Sequence, residues 1–230
     1  MAVTLSTGVL ADTISGCTDI ASKGTYHLTG DHTESGDCIK INSGNVHLDC
    51  QGHYREDGLE NGHIAIALDS GRGNITISNC NLTNWNHAIN VSTNNNLTVK
   101  DTLGSGNSQF VYTSSEGSGV TVINSNFSGD YRFEIGSGNN RIISINSSSP
   151  TSMGGTNNFV ERRWYVNVTV VNDQGLRVGD AKVNFTSQQD TKYNFTAKTN
   201  ANGTAWMNIT QNVTNSTGTL DVSEYNLTAK

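Results

Sequence analysis

The stretch Ile66-Ala-Leu-Asp-Ser-Gly-Arg-Gly-Asn-Ile75-Thr-Ile77 decides the fold. Two short apolar-x-apolar segments flank a turn of Ser, Gly and Asn, and the same form recurs along the first 150 residues. The recurring units begin at Ile39, Ile66, Ile89, Phe110 and Phe133, with spacings of 27, 23, 21 and 23 residues.

A repeat of just over 20 residues that contains two or three very short strands is typical of a solenoid. Leucine-rich repeats have similar periods, but their Leu and Asn ladder and their helices are missing from this sequence. The pattern therefore predicts a parallel β-helix, in which each turn of chain lies about 4.8 Å above the previous one. We expect the inward-facing residues to form one continuous core: Ile66, Leu68, Ile75, Ile77, Ile89, Val91, Leu97 and Val99.

The character of the sequence changes near residue 150. A turn-rich segment with the only Pro of the chain is followed by the long alternating stretch Trp164–Val171 and by short strands at intervals of about ten residues. These further strands are Ala181–Thr186, Tyr193–Lys198, Thr204–Thr210, Thr219–Ser223 and Tyr225–Ala229. We predict a parallel β-helix over residues 1–150, a linker over 151–162 and an antiparallel Ig-like β-sandwich over 163–230.

Several segments resemble a known family. Cys17-Thr-Asp-Ile, Gly24-Thr-Tyr-His-Leu, Cys38-Ile-Lys-Ile and Val46-His-Leu-Asp-Cys-Gln-Gly-His53 resemble the opening of NosD-like right-handed β-helix repeat proteins of archaeal cell surfaces. Arg163-Trp-Tyr-Val-Asn-Val-Thr-Val-Val-Asn-Asp-Gln-Gly and Asn200-Ala-Asn-Gly-Thr-Ala are similar to the Ig-like or carboxypeptidase-regulatory-like domain that often follows in those chains. The resemblance implies an all-β fold, a right-handed β-helix followed by a small Ig-like sandwich, on an archaeal cell surface.

The NosD name suggests copper handling, but three Met and scattered His make no soft-metal site, so we expect no metal and no cofactor. The formal net charge of −6 and the lack of a Lys/Arg cluster argue against a nucleic-acid partner. No run of 18 apolar residues occurs, so we expect no membrane span. The opening MAVTLSTGVLADT lacks the basic segment and the apolar length of a signal peptide.

All four cysteines lie in the first third of the chain, at Cys17, Cys38, Cys50 and Cys80. An even number beside many Asn-x-Ser/Thr triplets indicates an oxidising, extracellular setting, and the alternative is four buried free thiols in a cytosolic protein. Aligning the repeats leaves Cys50 and Cys80 at nearly the same corner, one turn apart. Cys50 is five residues after Asn45 and Cys80 is six residues after Asn74, so one extra residue must bulge there. We therefore predict Cys50–Cys80, and Cys17–Cys38 as a staple at the exposed end of the solenoid.

The chain contains 14 Asn-x-Ser/Thr triplets, where 30 Asn among 24 Ser and 27 Thr would give about seven by chance. In 11 of them the middle residue is apolar, so in a strand it would face the core while the Asn faces solvent. Any strand with many outward-facing Asn and Thr residues contains such triplets without being glycosylated. Because Asn is a poor strand residue, its frequency needs another reason, and we favour N-glycosylation. The candidate acceptors are Asn74, Asn81, Asn90, Asn96, Asn126, Asn146, Asn167, Asn184, Asn194, Asn202, Asn208, Asn212, Asn215 and Asn226.

No catalytic constellation stands out. Polysaccharide-active β-helices carry acids stacked on one face, whereas the aligned outward rows here hold no acid pair. The two predicted rows are Lys40, Ala67, Asn90, Val111, Glu134 and His47, Thr76, Thr98, Thr121, Ser144. The charged segment from His53 to His63, with Glu56, Asp57 and Glu60, has the residues to bind a cation or a sugar, but we interpret it as the longest loop of the solenoid. We expect no enzyme activity.

The sequence favours an extracellular structural glycoprotein, a subunit of an archaeal surface layer, sheath or filament. Solenoids leave unpaired strand edges at their ends, so self-assembly into a homo-oligomer is expected. Ala2–Leu10 is either a donated strand for that assembly or an N-terminal cap. The alternative function is a carbohydrate-binding, adhesive or polysaccharide-active module, for which Trp85 and Tyr131 are the candidate exposed aromatic residues.

Overall fold

Strands and the turns between them make up the computed structural model, which describes residues 11–57, 62–92, 95–113, 116–128, 134–135, 138–147 and 156–230. One 3-10 turn, Thr191–Tyr193, accompanies them. The strands in chain order are β1 Asp12–Ile14, β2 Thr18–Ile20, β3 Gly24–Leu28, β4 His32–Glu34, β5 Ile39–Ile41, β6 Val46–Asp49, β7 Tyr54–Asp57, β8 Ile64–Leu68, β9 Ile75–Ser78, β10 Asn81–Thr83, β11 His87–Val91, β12 Asn96–Lys100, β13 Leu103–Ser105, β14 Gln109–Thr113, β15 Gly119–Ile123, β16 Asn126–Ser128, β17 Glu134–Ile135, β18 Arg141–Ile145, β19 Phe159–Thr169, β20 Lys182–Ser187, β21 Phe195–Lys198, β22 Thr204–Asn215, β23 Gly218–Asp221 and β24 Tyr225–Ala229.

The first eighteen strands form three parallel sheets that together make a solenoid of about five turns. The long sheet contains β1-β3-β6-β9-β12-β15-β18, the second sheet contains β2-β5-β8-β11-β14-β17, and the third sheet contains β4-β7-β10-β13-β16. Each turn of the solenoid contributes one strand to each of the three sheets. The predicted parallel β-helix is therefore confirmed. The predicted right-handedness stays a prediction.

The core of the solenoid is one stack of aliphatic side chains. All eight predicted inward residues are at most 1% exposed and belong to one hydrophobic cluster. The register stacks like on like: Val46, Ile75, Leu97 and Val120 are successive partners in the long sheet. Because each buried aliphatic side chain contributes about 1.5–3 kcal/mol, this stack is the main source of stability in the solenoid.

Asparagine turns the corners of the solenoid. Eight Asn residues have positive φ, a left-handed conformation that Asn tolerates better than most residues because its side chain bonds locally. They are Asn45, Asn74, Asn79, Asn84, Asn124, Asn139, Asn146 and Asn157. Corner geometry is thus one reason why this sequence is so rich in asparagine.

A ladder of hydroxyl groups satisfies the backbone just inside one of these corners. The Oγ atoms of Thr102, Ser125 and Ser147 accept hydrogen bonds from backbone N–H groups of the preceding turn, over 3.0–3.4 Å. Each hydroxyl also donates to the carbonyl two residues before it, over 2.8–2.9 Å. These bonds pair polar groups that would cost about 1–3 kcal/mol each if buried without a partner.

The two disulfides join Cys17 to Cys38 and Cys50 to Cys80, with Cα–Cα distances of 4.3 and 4.8 Å. This is the predicted pairing. The register pairs Asp49 with Ser78, so the extra residue is Asn79, which precedes Cys80 and has a positive φ of 53°. Each bridge links two adjacent turns near the N-terminal end of the described solenoid.

The long sheet continues beyond the solenoid. β19 pairs in parallel with β18 and antiparallel with β22, so the sheet reaches ten strands. The small sheet β21-β20-β24 is antiparallel and packs against β19 and β22, with Val183, Phe185 and Ala205 at the centre of the contact. β19 begins at Phe159, five residues before the predicted start at Trp164. The Ig-like classification and the boundary between the two regions stay predictions.

Candidate functional site

The outward row of the second sheet differs from the predicted one. Lys40, Ala67 and Asn90 align as expected, but the next partner of Asn90 is Tyr112, and Glu134 follows it. The expectation for Val111 was wrong, because Phe110 and Val111 both face inward and are fully buried. Strict alternation fails here since these strands place two consecutive residues inside.

The outward row of the long sheet also needs one correction. His47, Thr76, Thr98 and Thr121 align as predicted, but Ile143 rather than Ser144 follows Thr121. Ser144 is instead fully buried. The prediction was wrong because the run Ile142-Ile143 leaves it ambiguous in the sequence which residue of this strand faces outward. Neither corrected row gains a pair of acids, so the rows offer no glycosidase-like geometry in the described turns.

The charged segment from His53 to His63 is not simply a loop. Tyr54–Asp57 forms β7 of the third sheet, and Arg55 and Asp57 face the interior with no exposed surface. The interpretation as a loop was wrong for these residues, because a three- or four-residue strand with charged inward residues carries no apolar signal. Glu60 lies outside the described residues, and Glu56 faces outward and accepts a hydrogen bond from Asn84 Nδ2 at 2.9 Å.

The buried charges of β7 make few contacts. Arg55 Nη2 donates to the carbonyl oxygen of Gly16 at 3.3 Å. Burial lowers the pKa of Arg55, although the negative charges of Glu34 and Asp31 act in the opposite direction. Asp57 lies 3.3 Å from His63 Nδ1. Arg55 and Asp57 have no exposed surface, so neither meets a solute without a local opening. Among the described side chains, no three His, Cys, Asp or Glu residues lie close enough to share a metal ion.

Of the two aromatic residues named for carbohydrate binding, the structure describes Trp85 alone. Trp85 was expected to be exposed, but it is 1% exposed and its Nε1 donates to the carbonyl oxygen of Arg55 at 3.0 Å. Tyr131 lies outside the described residues. Among the described residues, the exposed aromatic side chains are instead Trp206, Tyr165 and Tyr54, which are 65%, 43% and 37% exposed.

All fourteen candidate acceptors lie within the described residues, and each of them is exposed or half-buried. Among the eleven apolar middle residues, Ile75, Leu82, Val91, Leu97, Phe127, Phe185 and Val213 are buried, as the strand argument predicts. Val168, Phe195 and Ile209 are half-buried, and Leu227 is 52% exposed on β24. Whether any acceptor carries sugar stays a prediction.

Two of the acceptors have another physical reason to be Asn. Asn74 and Asn146 have positive φ at corners, and their Nδ2 atoms donate to Asn45 Oδ1 and Asn124 Oδ1 over 3.1 and 3.0 Å. The Nδ2 atom is the one that N-glycosylation modifies. These two triplets are therefore well explained without sugar.

The outer face of the β19–β22 hairpin brings acceptors and aromatic rings together. Tyr165 lies directly opposite Asn208, and Asn167 lies directly opposite Trp206. Facing pairs in antiparallel strands have Cβ atoms about 4.5–5.5 Å apart, and alternate residues share a face. We call these four residues the acceptor face. Both Asn residues were predicted from the sequence as acceptors. Both aromatic residues were missed, although each precedes its Asn by two positions.

A buried carboxylate anchors the acceptor face from one side. Glu161 is 2% exposed and accepts hydrogen bonds from Arg163 Nε at 2.8 Å, Thr210 Oγ1 at 2.5 Å and Arg141 Nη2 at 3.1 Å. Arg163 Nη1 also donates to Asn208 Oδ1 at 3.1 Å. Glu161 thus joins the last strand of the solenoid, through Arg141, to both strands of the hairpin.

The electrostatics of this junction are strongly perturbed. Burial by itself would raise the pKa of Glu161, but the hydrogen bonds and charge of Arg163, with the bonds from Thr210 and Arg141, lower it. Burial and the nearby Glu161 charge raise the pKa of Tyr225 to about 12, and its hydroxyl donates to the carbonyl oxygen of Thr210 at 2.6 Å. At neutral pH Glu161 is therefore ionised and Tyr225 is neutral.

Comparison with known proteins finds no family model, no curated protein and no solved structure that matches this chain. The structure, over the residues it describes, has no helix of the length and apolarity that crossing a bilayer requires.

Proposed function

We propose that this chain is an extracellular structural glycoprotein, a subunit of a surface layer, sheath or filament, and that it acts without catalysis. The observation that carries the proposal is the position of the acceptors: nine of the fourteen are exposed, five are half-buried and none is buried. A sequence-level excess of acceptor triplets is thus matched by surfaces on which sugar can be accommodated.

The continuous long sheet supports a structural role. Ten strands connect the first described turn to the C-terminal hairpin, and two disulfides reinforce the N-terminal turns. The disulfides are compatible with an oxidising, extracellular location. We further propose the finer assignment that the resemblance implies: a NosD-like, right-handed β-helix of archaeal type, followed by an Ig-like sandwich.

Two measurements on protein isolated from its natural source test the proposal. Intact-mass analysis should show added sugar mass, and negative-stain imaging should show ordered fibres or lattices. A chain of unmodified mass that remains a dispersed monomer would contradict it. Subunits that carry sugar but remain dispersed would contradict the proposed assembly and would still support the proposed glycoprotein.

The second candidate is a carbohydrate-binding module, and the exposure of Trp206 and Tyr165 favours it. Aromatic side chains offer flat apolar surface with a polar edge, which suits sugar rings. Co-sedimentation with insoluble polysaccharides tests this function. Binding that is lost in Trp206→Ala but kept in Trp164→Phe supports the module, whereas equal sedimentation with and without polysaccharide excludes it for the polymers used.

A further inference from the structure

The acceptor face contains the same five-residue pattern twice. Tyr165-Val-Asn167-Val-Thr169 lies on β19, and Trp206-Met-Asn208-Ile-Thr210 lies on β22. Because side chains alternate along a strand, the aromatic residue, the Asn and the Thr of each pattern share one face. Among the fourteen triplets, these two are the ones that have Tyr or Trp two residues before the Asn.

The strand register turns these two patterns into one arrangement. Tyr165 faces Asn208 and Trp206 faces Asn167, so each Asn has one aromatic ring opposite it and another two residues before it. A direct partner is about 4.5–5.5 Å away and a same-strand neighbour about 7 Å away, Cβ to Cβ. A sugar ring attached to either Asn is therefore within reach of both rings.

We propose that Asn167 and Asn208 carry N-linked glycans whose first sugar packs on Trp206 and Tyr165. This inference rests on the proposed glycoprotein function and names the surface that receives the sugar. One face of a pyranose presents C–H groups, and packing it on an indole or phenol ring removes apolar surface of both from water. The glycan thus covers Trp206 and Tyr165, the two most exposed of the described aromatic rings.

The modification is a group transfer from a polyprenyl-phosphate-linked sugar, delivered by a separate transferase. The Nδ2 lone pair of Asn attacks the anomeric carbon, forming the N–C bond while the bond from that carbon to the phosphate oxygen breaks. The polyprenyl phosphate leaves with that electron pair, and the Nδ2 proton passes to a base of the transferase. No oxidation or reduction takes place.

The contacts of Asn208 suit this chemistry. Arg163 is a donor only, so the atom of Asn208 that faces its Nη1 is the carbonyl oxygen Oδ1. The Nδ2 atom therefore lies on the other side of the carboxamide, away from Arg163.

The two triplets differ in their Thr residues: Thr169 is exposed, whereas Thr210 is fully buried and donates to Glu161. Since the acceptor signal includes that hydroxyl, Asn208 is modified before β22 pairs with β19.

The experiment uses the full chain, produced in its source organism so that the natural glycan is attached. Peptide mapping by mass spectrometry measures occupancy at each Asn. The test variant is Asn167→Gln with Asn208→Gln, and the matched control is Asn194→Gln with Asn226→Gln, two acceptors with no aromatic residue two positions before them. Acrylamide quenching reports Trp206, because Trp85 is 1% exposed and Trp164 is half-buried.

We expect sugar at both Asn167 and Asn208, stronger acrylamide quenching in the test variant and unchanged quenching in the control. The Tm of the test variant should fall by about 2–4 °C, the size expected for loss of one aromatic packing contact in a chain of this length. In a Tyr165→Leu, Trp206→Leu background, removing the same two acceptors should move the Tm by less than about 1 °C. That background separates packing on the rings from a general effect of the glycan.

The outcomes distinguish this inference from the function on which it rests. A chain with no sugar at any Asn overturns both. Sugar elsewhere with Asn167 and Asn208 empty overturns this inference alone. The same is true of sugar at both positions with quenching and Tm equal to those of the control.

Discussion

The solenoid and the C-terminal antiparallel region use asparagine for different physical purposes. In the solenoid, two of the six acceptor Asn residues, Asn74 and Asn146, have the left-handed conformation that a corner needs. In the C-terminal region none of the eight acceptors has positive φ, and six of them lie within strands. Where the backbone does not require Asn, its frequency needs another cause, so the case for sugar is stronger in the C-terminal region.

The two regions also differ in what holds them together. The solenoid has one cluster that runs from Ile14 to Val160 with most members at 0–2% exposure. The C-terminal region has two small clusters, centred on Val183 and on Val213, packed against side chains that are only partly buried. We therefore expect a core substitution in the solenoid to be felt along the whole stack.

The largest expected effect comes from placing a charge in that stack. Ile77→Asp puts a carboxylate at a position with no exposed surface and no cationic partner among the core residues around it. We expect a loss of about 5 kcal/mol or more, enough to unfold the solenoid. Circular dichroism and denaturant titration measure it.

Thr76→Asp is the matched control, because Thr76 is the outward neighbour of Ile77 on β9. It should change stability by less than about 1 kcal/mol. If Ile77→Asp folds with the stability of Thr76→Asp, the inward and outward assignment of the solenoid is incorrect.

The inward-facing core residues around Ile77 are the part of the fold that could be predicted from the sequence. Apolar-x-apolar pairs at a constant period were sufficient to predict the stack and the disulfide pairing, because both depend on alternation and on counting residues per turn. The third sheet was missed. Its three- and four-residue strands place few residues inside, and at Arg55 and Gly104 those residues give no apolar signal.

The candidate site was predicted in part for the same reason. Acceptor triplets are visible in any sequence, so Asn167 and Asn208 could be named. Their pairing with Trp206 and Tyr165 depends on the register of β19 and β22, strands about 40 residues apart in the chain, which a single sequence does not encode locally.

The next largest effect concerns the disulfides, which lie only in the solenoid. Replacing Cys50 and Cys80 by Ala should cost about 3 kcal/mol, because the bridge closes a loop of 30 residues. Hydrogen exchange measured by mass spectrometry should show lost protection in the N-terminal turns and unchanged protection in β20–β24. The Cys17→Ala, Cys38→Ala pair serves as the comparison. Equal loss of protection in β20–β24 would mean that the two regions unfold as one unit.

Glu161 tests the connection between the regions. Glu161→Gln removes the charge that Arg141 and Arg163 contact, and we expect a cost of about 2 kcal/mol at pH 7. The folded-state pKa of Glu161 is lowered, so its contribution is complete above the unfolded value of about 4.3 and is lost as pH falls through the folded value.

The stability curves of wild type and Glu161→Gln should therefore converge as the pH falls below 4, when measured by urea unfolding. The exposed substitution Asp173→Asn is the control and should leave the curve unchanged at every pH. A gap between wild type and Glu161→Gln that is as wide at pH 3 as at pH 7 would exclude an electrostatic origin.

The smallest expected effect tests the two uses of asparagine directly, on protein without sugar. Asn139 turns a solenoid corner with φ of 61°, so Asn139→Ala should cost about 1 kcal/mol, whereas Asn139→Gly should change stability by less than about 0.5 kcal/mol. Asn226 is exposed within β24 and has no such conformation, so Asn226→Thr should be neutral or stabilising by a few tenths of a kcal/mol. Thermal unfolding of the three variants beside wild type measures these differences. If Asn226→Thr costs as much as Asn139→Ala, then asparagine has a folding role in the C-terminal strands too, and its frequency there no longer favours sugar.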